Sequence, residues 1–306
     1  MPFTLSHPLF AAPLKKGIPS LSLTGLILGS MAPDLEYFIA MQPFRSIGHS
    51  FSGFFLLALP ICVALAFAFH RIIKPALPAM LPNARGVNQF AAYLNRPWKM
   101  ATTAERLFFL LSLFIGFYSH VFLDHFTHSS GYFVLRLPVL QSMIFGDHVY
   151  HILQLSLSVL GAFVPCLYFM YSYLNWYKKR DRNKKHNNSR GFYLQWGLAI
   201  SITFVLFLGK LLFSGNFFSI SIWVVAPITS AFVGLYVTAM LQMAVQSRQK
   251  RLGILYALLL LVIIVGYKLF FYQSEFSITV WVVYHWILSA VIVASTYLSR
   301  GRSKSN

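Results

Sequence analysis

Charged side chains are scarce in this chain, and acidic ones are the scarcest. Of 306 residues, 10% are charged and seven are Asp or Glu, whereas 57% are hydrophobic. The mean hydropathy is correspondingly high, at +0.64. Because a soluble domain carries about 25% charged residues, the shortage excludes an ordinary soluble domain. It predicts an all-α, polytopic transmembrane helical bundle, since helices satisfy their own backbone groups in lipid.

Other absences exclude further classes of protein. The two cysteines, Cys62 and Cys166, both lie inside apolar runs, so we expect neither a disulfide nor a thiolate metal site. The sequence has no Gly-x-Ser-x-Gly elbow and no glycine-rich phosphate loop, which argues against serine-hydrolase and nucleotide chemistry. It also lacks the features of a cleavable signal peptide, so the first spans are expected to direct insertion.

Apolar runs of about 20 residues are long enough to cross the hydrocarbon core of a membrane, and the chain has about eight of them. They lie at roughly 21–41, 49–70, 105–127, 149–177, 192–213, 219–246, 253–272 and 278–298. The first is interrupted by polar residues and by Pro33. Thr102 followed three residues later by Glu105 predicts a capping box at the start of the third.

The 25 Lys and Arg residues are concentrated in alternate loops, with dense clusters at 71–106 and 178–190. The positive-inside rule therefore places those loops, and both termini, in the cytoplasm of a multi-pass inner (plasma) membrane protein. Basic residues scattered over separate loops do not form one groove-shaped patch. The net charge of +18 is thus read as a topology signal and not as a nucleic-acid site.

The same pattern divides the chain into three parts. Residues 1–177 hold most of the ionisable side chains expected in the membrane and are predicted to form a metal-site transmembrane domain. Residues 178–191 read as a basic cytoplasmic linker. The C-terminal half, 192–306, combines clean spans with a basic tail and is predicted to act as a helical support or as a homodimer surface.

The most informative stretch closes the third predicted span. If the helix continues, His120, Asp124 and His128 are spaced i, i+4 and i+8 and fall on one stripe. Imidazole and carboxylate together suit a divalent cation such as zinc. A polar stripe packed against neighbouring helices is the alternative, but ionisable groups inside a membrane are costly and usually functional.

The predicted topology brings further ionisable residues to the same, outer membrane depth. They are Asp34, Glu36, His49, Asp147, His148 and His151. His7 follows Ser6 and precedes Pro8, a pattern typical of a helix start with Ser6 as N-cap. This short segment either lies on the membrane surface or reaches in from outside to join the cluster.

Four motifs in this region stand out together. They are Met1-Pro2-Phe3-Thr4-Leu5-Ser6-His7-Pro8, the stretch Gly29–Tyr37, Gly48-His49-Ser50, and the stretch His120–Gly131. As a set they resemble an uncharacterised family of bacterial integral membrane proteins, classed as a domain of unknown function. The likeness covers about residues 1–177.

That family is more distantly similar to inner-membrane proteins regarded as metal-dependent hydrolases, and to zinc phospholipase C. The resemblance implies that His7, Asp34, His49, His120 and Asp124 belong to a metal site. The glutamate that ends the phospholipase pattern has no clear match, the nearest candidates being His151 and Asp147.

Together these observations predict a membrane-embedded hydrolase with one or two zinc ions, acting on a phosphoester or lipid-linked substrate at the outer interface. Asp147 or Glu36 would be the general base or would orient a ligand, with His148 or His151 completing the shell. Arg45 and Arg136 either clamp an anionic headgroup or snorkel to the interface. The alternative is a non-enzymatic protein, either a metal-stabilised bundle or a transporter with a proton relay.

Overall fold

The chain is an all-α, multi-pass membrane protein. Its structure, a computed structural model, describes residues 6–179, 190–214, 218–271 and 276–299. Within those residues, seven helices are long and apolar enough to cross a membrane. They are Phe51–Met80, Thr103–Thr127, Val149–Lys179, Gly191–Phe213, Ile220–Gln246, Lys250–Leu269 and Ile278–Ser299. The first of them includes two π-helical stretches, Phe54–Ala58 and Phe69–Ile73.

Short elements fill the connections between the long helices. The α-helices among them are Pro8–Ala11, Leu14–Gly17, Leu23–Met31, Leu35–Ala40, Val87–Leu94 and Pro138–Gln141, and the 3-10 turns are Ala32–Asp34 and Ala84–Gly86. An antiparallel hairpin pairs strand Met143–Ile144 with strand Asp147–His148.

The first predicted span, 21–41, does not form one helix. It breaks into Leu23–Met31, the 3-10 turn Ala32–Asp34 and Leu35–Ala40, because Pro33 cannot donate a backbone hydrogen bond and interrupts the α-helical ladder. Among the described residues the long helices are therefore seven, where about eight spans were predicted. The capping box of Thr102 and Glu105 is confirmed at the start of Thr103–Thr127.

The chain forms two compact units, each assembled from separate stretches. The first combines Met1–Leu35, Ile47–Cys62 and Lys99–Asn175. The second combines Glu36–Ser46, Val63–Trp98 and Trp176–Asn306. Most of the predicted basic linker, 178–191, lies outside the described residues, so the predicted division of the chain there stays a prediction.

In the first unit, helices Leu23–Met31 and Thr103–Thr127 pack with their backbones in contact. A Cβ atom at Gly29 would lie 2.2 Å from the carbonyl oxygen of Leu113, so a larger residue does not fit there. Gly116 meets the carbonyl oxygen of Leu26 in the same way. This contact fixes the segment that ends at Asp34 against the helix that carries His120.

The second unit packs helices Arg190–Phe213, Ile220–Gln246 and Ile278–Ser295 with the short helix Leu35–Ala40. Thr229 Oγ1 donates to the carbonyl oxygen of Phe38 at 2.8 Å. His285 is buried in this unit, where its Nδ1 donates to the carbonyl oxygen of Trp281 at 2.9 Å.

Candidate metal centre

Five ionisable side chains of the first unit converge at one place. Four stretches of chain that are far apart in sequence deliver them. They are His7, Asp34, His49, His120 and Asp124. His7 therefore lies in the cluster, which is one of the two positions predicted for it. His7, and not the predicted Ser6, occupies the N-cap position of the helix Pro8–Ala11.

The donor atoms of the cluster face one another at short range. His49 Nε2 lies 3.4 Å from Asp34 Oδ1 and 3.5 Å from Asp124 Oδ2. His120 Nε2 lies 3.3 Å from Asp124 Oδ2 and 3.9 Å from Asp34 Oδ2. The ring of His7 stacks on that of His120, with 3.8 Å between their centroids.

These atoms form two overlapping donor groups. One contains His7, Asp34 and His120, and the other contains His49, His120 and Asp124; within each, the donor atoms lie within 4.8 Å of one another. His120 is common to both groups.

The backbone of Ser30 sets the tautomer of His120. His120 Nδ1 lies 2.8 Å from the carbonyl oxygen of Ser30, and because a carbonyl can only accept, Nδ1 must carry the proton. The lone pair of the neutral ring is then on Nε2, which points at the two carboxylates. Metal-ligating histidines are commonly oriented by such a backbone hydrogen bond.

Several buried polar atoms of the cluster have no hydrogen-bond partner of good geometry among the described residues. They include His7 Nδ1, His120 Nε2 and Asp124 Oδ1. Buried polar atoms are nearly always paired, and leaving one without a partner costs about 1–3 kcal/mol. The donor set therefore fits a bound cation, which would satisfy these atoms together.

Two histidines of the cluster, His7 and His49, lie outside the spans, and their pKa values are shifted in opposite directions. Burial lowers the pKa of His7 to about 4, so its ring is in the neutral form that binds metals. Burial also disfavours protonation of His49, but hydrogen bonds to Asp124 and Asp34 outweigh it and raise its pKa to about 9. The pair of carboxylates thus favours a positive charge between them.

The spacing predicted that His128 continues the helical stripe of His120 and Asp124, but it does not. The helix ends at Thr127, and His128 is its C-cap with an extended backbone. Its Nδ1 nevertheless lies 3.4 Å from Asp124 Oδ1, and its Nε2 accepts from the side-chain amide of Gln154 at 3.1 Å. His128 therefore supports Asp124 from outside the two donor groups.

His148, in the hairpin, and His151, at the start of the helix Val149–Lys179, make contacts of their own. His151 Nδ1 lies 2.5 Å from Asp147 Oδ2, and His148 Nδ1 donates to the carbonyl oxygen of Gln141 at 2.8 Å. The hydrogen bond from His151 lowers the pKa of Asp147. Neither His148 nor His151 belongs to a donor group found in the described part of the chain.

Glu36 lies in the second unit and its carboxylate is already engaged. It accepts from the backbone N–H of Ser46 at 3.1 Å and from Trp281 Nε1 at 2.9 Å. These contacts favour a structural role for Glu36 over that of a general base. Arg45 is exposed in the same unit.

Arg136 lies in the first unit, in the loop that follows the Asp124 helix. Its guanidinium stacks 3.6 Å above the ring of Tyr132, and Nη1 donates to the carbonyl oxygen of that residue at 3.4 Å. The guanidinium is exposed.

Two supporting residues were missed by sequence reasoning. The carbonyl of Ser30 leaves no signal in a sequence, because every residue has one. Gln154 lies three residues after His151 on the helix Val149–Lys179, so a search for polar residues near the predicted ligands would have found it.

A family model described as a domain of unknown function, DUF4184, matches residues 1–248. No curated protein and no solved structure matches the chain.

Proposed function

The chain belongs to the DUF4184 family, as the resemblance to an uncharacterised membrane family predicted, and we propose that it is a membrane-embedded, metal-dependent hydrolase. One observation carries the proposal, namely the buried and mutually facing donor atoms of the cluster. The residues that would hold the metal are His7, Asp34, His49, His120 and Asp124.

Zinc is the ion that these donors suit best. With bonds of about 2.0–2.1 Å to nitrogen and oxygen, a tetrahedral zinc site separates neighbouring donor atoms by about 3.3 Å. Three separations in the cluster lie close to that value, at 3.3 Å for His120 to Asp124, 3.4 Å for His49 to Asp34 and 3.5 Å for His49 to Asp124.

The donor set has room for one or two ions. His120 is common to both donor groups, yet its single Nε2 binds one ion. Asp34 directs Oδ1 towards His49 and Oδ2 towards His120, so both oxygens of its carboxylate would be available to hold a cation beside those imidazoles. Paired metals about 3.5–4 Å apart are the usual arrangement for displacement at phosphorus.

The residues of the cluster would hold a divalent ion, which when bound would supply Lewis acidity towards a phosphoryl or carbonyl oxygen and towards water. The chain's residues hold the donors in place: the Ser30 carbonyl orients His120, and His128 supports Asp124. The side chains of His49 and Asp124 remain 14% and 17% exposed, which leaves one side of the cluster open to a substrate. Asp147 is also hydrogen-bonded, to His151, but its side chain is 40% exposed whereas Glu36 is 2% exposed, and Asp147 is therefore the proposed general base.

The position of the cluster favours an amphiphilic substrate. Asp124 lies three residues before the end of the span Thr103–Thr127, which puts the cluster near a membrane surface. From the pattern of Lys and Arg residues we propose that this surface is the extracytoplasmic side of the inner membrane. We therefore propose a phosphoester or lipid-linked substrate, with Arg136 in the adjoining loop available to an anionic headgroup.

Metal content tests the proposal directly, and the chain offers a matched control. His120 and His285 are both buried, and each donates from Nδ1 to a backbone carbonyl. We expect wild type and His285→Ala to be purified with one or two equivalents of zinc, measured by mass spectrometry, and His120→Ala to have lost it. Equal, negligible metal in all three would contradict the proposal.

A non-enzymatic, metal-stabilised bundle is the second candidate, because the cluster joins four stretches of the first unit. Hydrolysis of phosphodiester and phospholipid probes in nanodiscs separates the two. A hydrolase loses turnover in Asp124→Asn and in Asp147→Asn, and the second variant keeps its zinc. A structural site loses thermal stability when zinc is chelated, and no probe is hydrolysed at any stage.

A further inference from the structure

The loop that joins the spans Thr103–Thr127 and Val149–Lys179 exposes many large apolar side chains. We call residues 132–145 the apolar loop. Its exposed large apolar residues are Tyr132, Leu135, Leu137, Val139, Met143, Ile144 and Phe145. Arg136 is the one charged residue in this stretch of the sequence.

The exposure belongs to a defined structure. Two residues of the loop, Val134 and Leu140, have buried side chains. Gln141 donates from its side-chain amide to the carbonyl oxygen of Val134 at 2.7 Å. The backbone N–H of Phe133 donates to the carbonyl oxygen of His125 at 3.1 Å, which ties the loop to the end of the Asp124 helix. The fold therefore presents the remaining apolar side chains outward.

The tip of the hairpin is the clearest case. Phe145 and Gly146 have φ angles of 54° and 84°, the left-handed values of a two-residue hairpin turn. In water such a turn favours Asn-Gly, because a bulky residue is strained at positive φ. Here Phe145 occupies the first position with its side chain fully exposed, at 101%. The cost of this backbone conformation is steric and does not depend on the solvent, whereas the exposure of the apolar ring is unfavourable in water.

A lipid surface is the partner that this loop fits. The loop connects two membrane-spanning helices, so it lies where they leave the membrane. Arg136 stacked on Tyr132 pairs a cation with an aromatic ring, the combination enriched at the level of the lipid headgroups. We propose that the apolar loop is seated in the membrane, with its side chains at the boundary between headgroups and acyl chains.

This inference also bears on how a substrate reaches the cluster. A loop anchored in the leaflet holds the end of the Asp124 helix at headgroup level, so a lipid substrate would approach laterally from the bilayer. That consequence rests on the proposed function, whereas the seating of the loop does not.

Depth measurement by spin labelling tests the seating. Phe145→Cys is made in a Cys166→Ser background, in which the remaining Cys62 is buried, and the labelled protein is placed in nanodiscs of phosphatidylcholine and phosphatidylglycerol. Collision rates with oxygen and with a water-soluble nickel complex give the depth of the label. Leu167→Cys, on the exposed apolar face of a span, and Asn95→Cys, in a basic loop, are the lipid and water controls.

We expect the label at residue 145 to have an oxygen-to-nickel ratio between those of the two controls, corresponding to a depth of about 5–10 Å. Val139→Cys should give a similar ratio. A ratio equal to that at residue 95 would overturn the proposal. So would shielding from both reagents, or dipolar coupling between two labels, because a protein surface would then cover the loop. The His120→Ala variant should give the same depth, which separates this result from the fate of the metal proposal.

Discussion

Replacement of Gly29 by alanine tests whether the close helix contact builds the site. The added Cβ would lie 2.2 Å from the carbonyl oxygen of Leu113 and 2.9 Å from its Cα, whereas ordinary contact begins at 3.4 Å. The obstructing atoms are backbone, so helices Leu23–Met31 and Thr103–Thr127 would have to separate by about 1 Å. Overpacking of this kind costs about 1–3 kcal/mol.

The same separation would disturb the cluster. Ser30, the next residue, orients His120 through a hydrogen bond of 2.8 Å, and Asp34 follows four residues later. Metal ligands tolerate displacements of about 0.2 Å, and loss of an orienting partner weakens metal binding by about 10–100-fold. We therefore expect Gly29→Ala to lower both the melting temperature in detergent and the zinc affinity, measured by fluorescence and by chelator competition.

Gly209→Ala is the matched control for this experiment. Gly209 lies within the helix Arg190–Phe213, where an added Cβ would meet nothing within 4 Å. Alanine should be neutral or slightly stabilising there, because glycine in a helix interior is less favourable by about 0.5–1 kcal/mol. If Gly29→Ala and Gly209→Ala melt alike and bind zinc alike, the helix contact does not position the ligands.

Two further predictions concern protonation and capping. In chelator-treated protein the folded pKa of His49, about 9, lies above the ordinary histidine value of 6.5, so the stability that its protonation contributes is present below pH 6.5 and is lost as the pH rises through 9. The melting temperature should fall between pH 6.5 and 9, and it should fall less in His49→Gln. A melting temperature that does not change with pH in either protein would contradict the raised pKa of His49. Thr102→Ala removes the capping box of Thr103–Thr127 and should cost about 1 kcal/mol, whereas Thr103→Ala should not, as thermal unfolding would measure.

The spans were predictable because a hydrocarbon core imposes a length and a composition on any helix that crosses it. Thr103–Thr127 even begins at the capping box that its sequence indicates. The failure at 21–41 has the opposite cause: hydropathy averaged over a window does not register that Pro33 removes one backbone donor. The two-unit organisation was not predicted either, because contacts among distant stretches leave no mark in local composition.

The candidate cluster shows the same division between local and distant information. His120 and Asp124 lie one turn apart on a helix, so their proximity follows from helical spacing. The position of His7 does not, since it depends on the stacking of its ring on His120 and on the packing of Ser6 against Gly161 in another helix. A Cβ atom at Gly161 would lie 2.6 Å from the carbonyl oxygen of Ser6, a contact visible only in three dimensions.

Because acidic residues are scarce in this chain, the positions of the few that are present are informative about the cluster. Five of the seven lie in the described part of the chain, and the structure assigns each of them a contact. Glu105 caps a helix and Glu36 accepts hydrogen bonds from Ser46 and Trp281. The other three, Asp34, Asp124 and Asp147, all contact histidines of the first unit.

A proton relay across the membrane would need such groups at successive depths along a path. Asp124 lies near the end of the span Thr103–Thr127, and Asp147 lies in the loop that follows the same end. Asp34 is held within 4 Å of His49 and His120, beside Asp124. Carboxylates gathered at one end of a span, each beside an imidazole, suit a fixed cation better than a moving proton, and this is why we place the metal-dependent hydrolase ahead of the transporter.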